Sequence, residues 1–312
     1  MAQAGASRTV SNDVSAITPE IWSESIQIPL YKTLVAMDIA NLELSDTIKY
    51  GDTVHKQYFG DLSVHTYVPG TAFTAQAQEW DTDDLVVSAY KSVAIYVDNV
   101  EEIQANVSSR TTLQQEIAYR LRDDIDTHIL TRVKDGTVCE ADDVVPGGAA
   151  LKAVSASTAN IISIFSKARQ KLRTANVSET GDWIAILSPA QAQLIESKAT
   201  SVGYNVADAT LRNGYAGDFM GFRIYVSNNL PTGTSPSGDF TPLLTGQTDQ
   251  NYEVAYVGKS KCIDAVIQKS PTIQITKVSD MHGWNISAYT VYGDAVFTKN
   301  ASRFLAIPTV GL

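Results

Sequence analysis

Residues 111–136, TTLQQEIAYRLRDDIDTHILTRVKDG, decide the architecture of the chain. Leu113, Ile117, Leu121, Ile125, Ile129 and Val133 recur at every fourth position, which predicts a helix of about 24 residues, roughly 36 Å long. Four residues turn a helix by ~400°, so the apolar stripe drifts ~40° per step and passes to the opposite side over its length. Such a helix meets different partners at its two ends, as a spine does, instead of lying on one flat core. Glu116, Arg120, Asp124, His128 and Arg132 form a polar ladder beside it with the same spacing. Neighbouring rungs are worth a few tenths of a kcal/mol each, and Arg120–Asp124 and Arg122–Asp126 are expected to neutralise the carboxylates. Thr112 with Gln115, or Thr111 with Gln114, predicts a capping box, and Gly136 a terminal cap behind Arg132 and Lys134.

Downstream, residues 158–174 form a second helix. Ile161, Ile164, Phe165, Ala168 and Leu172 fall in one arc of it, flanked by Lys167 and Lys171 on one side and Arg169 and Arg173 on the other. Trp183–Leu187 reads as a buried strand, and Ser188 to Gln191 as the capped start of the helix behind it. Further strands are expected at Phe222–Ser227, Tyr252–Val257, Thr272–Val278, Ile286–Val291 and Phe304–Ile307, with 231–242 as a loop. Helices and strands mix without regular β-α-β alternation, so the fold class is α+β.

Upstream, residues 48–97 are rich in Val, Tyr, Thr and Ile. Thr53–Phe59, Ser63–Val68 and Val86–Val97 read as strands interrupted at Gly51-Asp52, Gly60-Asp61, Pro69-Gly70 and Asp81–Asp84. The pattern predicts a two- or three-stranded extension with a polar tip, a structure that is marginal in water and needs something to pack on. Residues 1–17 read as a loose arm, and Thr18-Pro19 as the start of a short helix with Ile21, Trp22, Ile26 and Leu30 on its apolar face.

The 312 residues are 44% hydrophobic and 19% charged, with a net charge of −10. The charged share is below the usual ~25%, too apolar a balance for disorder. No run reaches the ~18 apolar residues of a membrane helix, and the first 20 residues lack the basic start and apolar middle of a signal peptide. An excess of 34 acidic over 24 basic residues argues against a dedicated nucleic-acid binder, whose affinity comes from neutralising phosphates. Cys139 and Cys262 alone build neither a disulfide framework nor a zinc site.

The chemistry-bearing patterns are absent: no H-E-x-x-H, G-x-S-x-G, Walker A or dinucleotide fingerprint occurs. His55 and His65 could face each other across the extension and, with Asp52 or Asp61, hold a metal, but cross-strand polar pairing is the better account. The carboxylates of Asp123-Asp124-Asp126 read as a solvated or interface-paired face, not as a catalytic pair. The sequence therefore points to no enzyme and no cofactor. What remains is an arm, a protruding ribbon and a helix with an offset stripe, features that suit a lattice better than an isolated monomer.

The order of these elements resembles the major capsid proteins of tailed bacteriophages, the Hong Kong 97-like fold, in the branch with P22-type coat proteins. The resembling residues are Pro19–Ser23, Gly51–His55, Tyr67–Gly70 and Asp98–Val100, then Leu187–Pro189, Leu211–Gly214, Gly217, Gly221-Phe222, Val226–Pro231 and Tyr292-Gly293. The resemblance implies an N-terminal arm and opening helix (1–47), an extended β-ribbon loop (48–97), and a peripheral domain with the spine helix at about 111–135 (98–182). It further implies an axial domain (183–278) and C-terminal strands returning to the peripheral domain (279–312). It implies self-assembly through hexamers and pentamers into an icosahedral virion shell around double-stranded DNA, which the lining touches only weakly and non-specifically. The arm before residue 18 is too short for a built-in scaffold, so a separate scaffolding protein is expected, together with a portal protein, room for a decoration protein, and no membrane. Trp22, Tyr67, Pro69, Trp80, Asp83, Asp84, Arg120, Asp124, His128, Arg132, Lys167 and Lys171 are the expected intersubunit contacts. An encapsulin-like nanocompartment shell and a minor head or decoration protein are the alternatives.

Overall fold

The computed structural model describes residues 31–46, 48, 50–72, 75–99, 110–139, 153–178, 182–202, 218–234, 251–278 and 281–310. The chain runs through a short helix α1 (Ala36–Ile39), strands β1 (Thr53–Phe59), β2 (Trp80–Val86) and β3 (Ala89–Asp98), and the helix α2 (Arg110–Thr131). Strands β4 (Thr137–Val138) and β5 (Val154–Ser155) lead to α3 (Ile161–Thr174), β6 (Trp183–Leu187) and α4 (Pro189–Val202). Then come β7 (Asp218–Phe219), β8 (Phe222–Val226), β9 (Thr232–Thr234) and β10 (Asn251–Lys259). The last elements are β11 (Asp264–Lys277), β12 (Gly283–Ala295), the single turn α5 (Thr298–Ala301) and β13 (Phe304–Val310). The expected opening helix at 18–30, with Trp22, lies outside the described residues, as do Leu211–Gly214 and Gly217.

The drifting stripe of α2 lays out the core. Ile117 and Leu121, on its first half, pack on Ile286 and Ala288 of β12, with Val93, Ile95 and Val97 of β3 alongside. These strands belong to a three-stranded antiparallel sheet, β11-β12-β3. Ile125 and Ile129, with Val133 just beyond, seat instead among Ile184, Ile186, Val254, Tyr256, Phe304 and Ala306. Those residues come from a second sheet, eight-stranded among the described residues, with β4-β13-β10-β6-β8-β7 in order and β5 and β9 at its margins. One helix thus joins two sheets, as the four-residue repeat requires.

The eight-stranded sheet is buried on both faces. Along β13, Phe304 and Ala306 point to the α2 side, whereas Leu305 and Ile307 join Ile161, Ile164, Phe165, Ala168 and Leu172 of α3 on the other. The period-two alternation of a strand divides the chain's two largest apolar clusters between the faces. All five expected core residues of α3 are buried. The predicted start of α4 also forms: Ser188 N–H donates to Gln191 Oε1 at 3.0 Å and Gln191 N–H to Ser188 Oγ at 3.3 Å.

Several expectations fail for identifiable reasons. Helix α2 already includes Arg110, so Thr111 and Thr112 lie inside it and neither capping-box register marks its start. Gly136 does take the cap position, its N–H on the Val133 carbonyl at 3.2 Å, but after a 3-10 turn, Arg132–Asp135, and in an extended (φ −79°, ψ 173°), not left-handed, conformation. Its glycine is required by close approach, because a Cβ there would lie 2.2 Å from the ring of Phe304. Phe304 is fully buried and stacked on Tyr256 at 4.8 Å. Gly136→Ala is expected to lower stability by about 1–3 kcal/mol through overpacking, measurable as a lower urea midpoint.

Ser63–Val68 forms no strand, and Asp81–Asp84, read as a break, lies within β2. The stretch 86–97 divides at Val87-Ser88: β2 pairs with β1 in a two-stranded ribbon, and β3 leaves to pair with β12. The expected loop at 231–242 opens with β9, which pairs with β10. β11 and β12 form an antiparallel hairpin on either side of residue 278, hydrogen-bonded from Asp264–Ala295 to Lys277–Trp284. Of the C-terminal strands, β12 returns to α2, but β13 sits beside β10 in the eight-stranded sheet, and α3 packs on that sheet as well.

Candidate assembly surfaces

The polar ladder of α2 divides in function along its length. Glu116 and Arg120 pair with each other at 2.7 Å on the surface, and the Arg120 guanidinium also lies 5.9 Å from the Tyr119 ring. From Asp124 onward the rungs turn inward to the strands. Asp124 accepts a hydrogen bond from the Tyr292 hydroxyl at 2.6 Å and lies 3.8 Å from Lys91. Burial, and then this bond, pushes the Tyr292 phenol well above its ordinary range. His128 and Arg132 both close on the buried Asp294 of β12, Arg132 Nε at 2.7 Å and His128 through Nδ1, while Arg132 also reaches Asp135 at 3.4 Å.

Asp126 corrects the sequence reading most sharply. It is fully buried, while its expected partner Arg122 is exposed. Its Oδ1 accepts the N–H groups of Val35 and Ala36 at 2.8 and 2.7 Å, serving the start of α1, and its Oδ2 accepts Asn229 Nδ2 at 2.9 Å. Asn229 also donates to Asp123 at 2.8 Å and accepts from Lys32 Nζ at 2.8 Å. Burial raises the pKa of Asp126 above the ordinary carboxylate value, opposed by these hydrogen bonds. One carboxylate therefore ties the N-terminal segment, α2 and the turn after β8 together. The sequence reads Asp123, Asp124 and Asp126 as a solvated or interface-paired face and gives no sign of partners about 90 and 100 residues away.

The ribbon presents the next surface. His55 faces Asp84, Lys56 faces Asp83 and Phe59 faces Trp80 across β1 and β2. The His55 ring bonds Asp84, the Tyr58 hydroxyl donates to Asp81 at 2.9 Å, and Phe59 meets Trp80 edge-on at 5.5 Å. His65 lies in the strandless tip, so the two histidines do not face each other. At the base, Leu85 and Val87 pack on Ile48, Val266 and Phe297. Asp83 holds the Thr298 N–H and hydroxyl, both at 2.8 Å. Beyond this anchorage Leu62, Val64, Tyr67, Val68 and Trp80 are exposed, Val64 completely, and Pro69 is exposed in the turn. Replacing residues 62–78 by a short Gly-Ser turn should change monomer stability by less than ~1 kcal/mol, since every described residue of the segment is exposed. Urea denaturation of the variant checks this, and a larger loss would place the tip in the core.

On α3, Lys167 bonds Gln170 at 3.2 Å and Lys171 reaches the Val138 carbonyl at 3.4 Å. Arg169 donates to the Met220 carbonyl at 3.2 Å and lies 5.9 Å from the Trp183 ring. Cys139 and Cys262 are buried and free, and burial pushes the Cys262 thiol up to about 11, an unreactive neutral form at physiological pH. Among the described residues no three His, Cys, Asp or Glu side chains gather as a metal site, and no helix is long and apolar enough to cross a membrane.

This arrangement of sheets, ribbon and helix recurs in known structures. A chain from Mycobacterium phage Che8 superposes with a TM-score of 0.74 at 23% identity, over 93% of this chain and 96% of that one. The capsid structure of cyanophage P-SCSP1u matches with 0.70 at 14% identity, over 97% and 96%. The head structure of Helicobacter pylori bacteriophage KHP40 matches with 0.71 at 11% identity, over 98% and 100%. No curated protein matches in sequence. The profile of the phage capsid protein family covers residues 100–306, from before α2 into β13. With that span matched, the chain belongs to the phage capsid protein family: it is a structural component of the virion, not an enzyme, and is built on the Hong Kong 97-like fold of tailed-phage major capsid proteins.

Proposed function

We propose that this subunit builds the icosahedral phage head, assembling through hexamers and pentamers around packaged double-stranded DNA. The observation that carries the reading is the ribbon: a firmly anchored base beneath an exposed apolar tip, for which the described residues of its own chain provide no cover. Large exposed apolar groups in a folded subunit mark interaction surfaces. The low charged fraction agrees, because interface cores are depleted in charge. An acidic net charge suits a container, since a lining that held DNA tightly would oppose its packaging and release.

In this reading the three-stranded sheet with the first half of α2 forms the peripheral part, and the eight-stranded sheet with α3 and α4 the axial part. The ribbon tip, with Tyr67, Pro69 and Trp80, lies across a neighbouring subunit, and Trp22 belongs to an arm that does the same. Asp83, Asp84, Arg120, Asp124, His128, Arg132, Lys167 and Lys171 are the polar contacts proposed at subunit borders, beyond the bonds they make within the chain. The order of the quoted segments favours the P22-type branch. A separate scaffolding protein and a portal protein complete the assembly, with a decoration protein as a further possible addition.

Negative-stain microscopy of the protein expressed with its scaffold tests the reading. Closed shells or ring-shaped capsomers are expected, and their loss when 62–78 is replaced. A subunit that stays monomeric at high concentration with scaffold present overturns it and favours a decoration protein. Shells that enclose an enzyme in place of a genome favour the nanocompartment.

A further inference from the structure

A cavity of about 800 Å³ opens between the ribbon base and the body of the subunit. Lys56, Lys259, Lys299 and Arg303 line it, with Asp61 and Asp83 as its only acidic lining residues. Both carboxylates are already engaged: Asp61 pairs with Lys299 at 3.2 Å, and Asp83 accepts two bonds from Thr298. Lys56 lies 4.7 Å over the Phe297 ring. No carboxylate among the described residues lies within ion-pair distance of Lys56, Lys259 or Arg303, although Lys56 faces Asp83 across the ribbon and its charge acts on Asp264. Four cations against two carboxylates leave the lining net positive in a chain whose net charge is −10.

From this charge imbalance we infer that the cavity is an anion socket that takes the carboxylates of an acidic segment from a second copy of the chain. The inference rests on the shell reading and names the chemistry of one of its contacts. An excess of like charge repels itself, and a partly enclosed recess screens it less than open water does. The free subunit thus carries a local repulsion that a neighbour's carboxylates relieve. Acidic side chains from elsewhere on the same polypeptide are the anions present at equal concentration in every shell. A recess of this volume accepts a few side chains, not a nucleic-acid duplex. Because one wall is the ribbon and the other is the body, at the end of α3, the end of β10 and the turn around α5, filling the socket also fixes the angle at which the ribbon leaves the subunit.

The first test uses the unmodified protein. Shells assembled from mixed light and nitrogen-15-labelled subunits are treated with a carbodiimide, which joins an amine directly to a touching carboxylate. Mass spectrometry should find mixed-label links from Lys259 or Lys56 to an Asp or Glu, absent from unassembled subunits. Shells that give only same-subunit links, or none, at these lysines overturn the proposal. The second test is the double variant Lys259→Glu with Arg303→Glu. Its circular dichroism should match the wild type while shell yield falls about tenfold or more, because like charge then faces like charge at the contact. Wild-type shell yield from the variant overturns the proposal, and wild-type yield with reduced DNA content assigns the socket to phosphate instead. If the variant fails to fold, the cross-link result decides alone. Failure of the unmodified protein to form shells at all is a different outcome, and it removes the shell reading itself.

Discussion

Asp126→Ala should destabilise the subunit by roughly 3–5 kcal/mol, a large share of the 5–15 kcal/mol typical of folded domains. The substitution leaves two buried backbone N–H groups, those of Val35 and Ala36, and one Asn229 N–H without their acceptor. Each orphaned donor costs about 1–3 kcal/mol. Asp126→Asn keeps one acceptor oxygen and should cost less, about 1–2 kcal/mol. Urea unfolding of both variants measures the difference, and equal losses would mean that the oxygen kept in Asp126→Asn contributes nothing.

The same residue gives the pH dependence a definite sign. Burial raises the folded-state pKa of Asp126, and of Asp264, above the ordinary carboxylate value. The folded state then binds more protons than the unfolded chain between that value and the raised one. Their contribution to stability is greatest below the ordinary carboxylate pKa and is lost as pH rises through the raised values. Mild acidification should therefore raise this part of the stability, against the usual trend. The dependence of the urea midpoint on pH should flatten in Asp126→Asn, and an unchanged slope would show that Asp126 does not titrate in the window.

Asp294→Ala is expected to cost about 3 kcal/mol, because it strips a buried counter-charge from Arg132 and the bonding partner from His128. Both side chains belong to α2 and Asp294 to β12, so the loss acts on the joint between the helix and the three-stranded sheet. Thermal denaturation reads the effect. A loss below ~1 kcal/mol would show that Arg132, only half-buried, regains its hydration once released.

What the sequence revealed follows from how local each signal is. The four-residue stripe of α2 and the arc of α3 are periodicities within one helix, and every expected core residue of α3 is buried. The box at Ser188–Gln191 spans one turn and was legible for the same reason. Partners distant in sequence were not. Asp126 carried Arg122 four residues earlier, a better visible match than a strand turn about 100 residues later. Ser63–Val68 has strand-forming side chains but no neighbouring strand among the described residues, and propensity without pairing does not make a sheet. Asp81–Asp84 looked like a break because its charges were counted without Lys56 and His55 opposite them, and cross-strand partners make such a segment a good strand. The capsid contacts span several chains, so one sequence could name candidate residues but not the surfaces they meet.

The two seats of α2 have a mechanical consequence. Ile117 and Leu121 engage one sheet, and Ile125 and Ile129 the other, from different azimuths around the same rod. A shaft keyed in two directions cannot spin in either socket without unseating the other. Any change of angle between the two sheets, such as a shell would impose on its subunits, works against both seats at once and against the bonds from Asp124, His128 and Arg132 to β12.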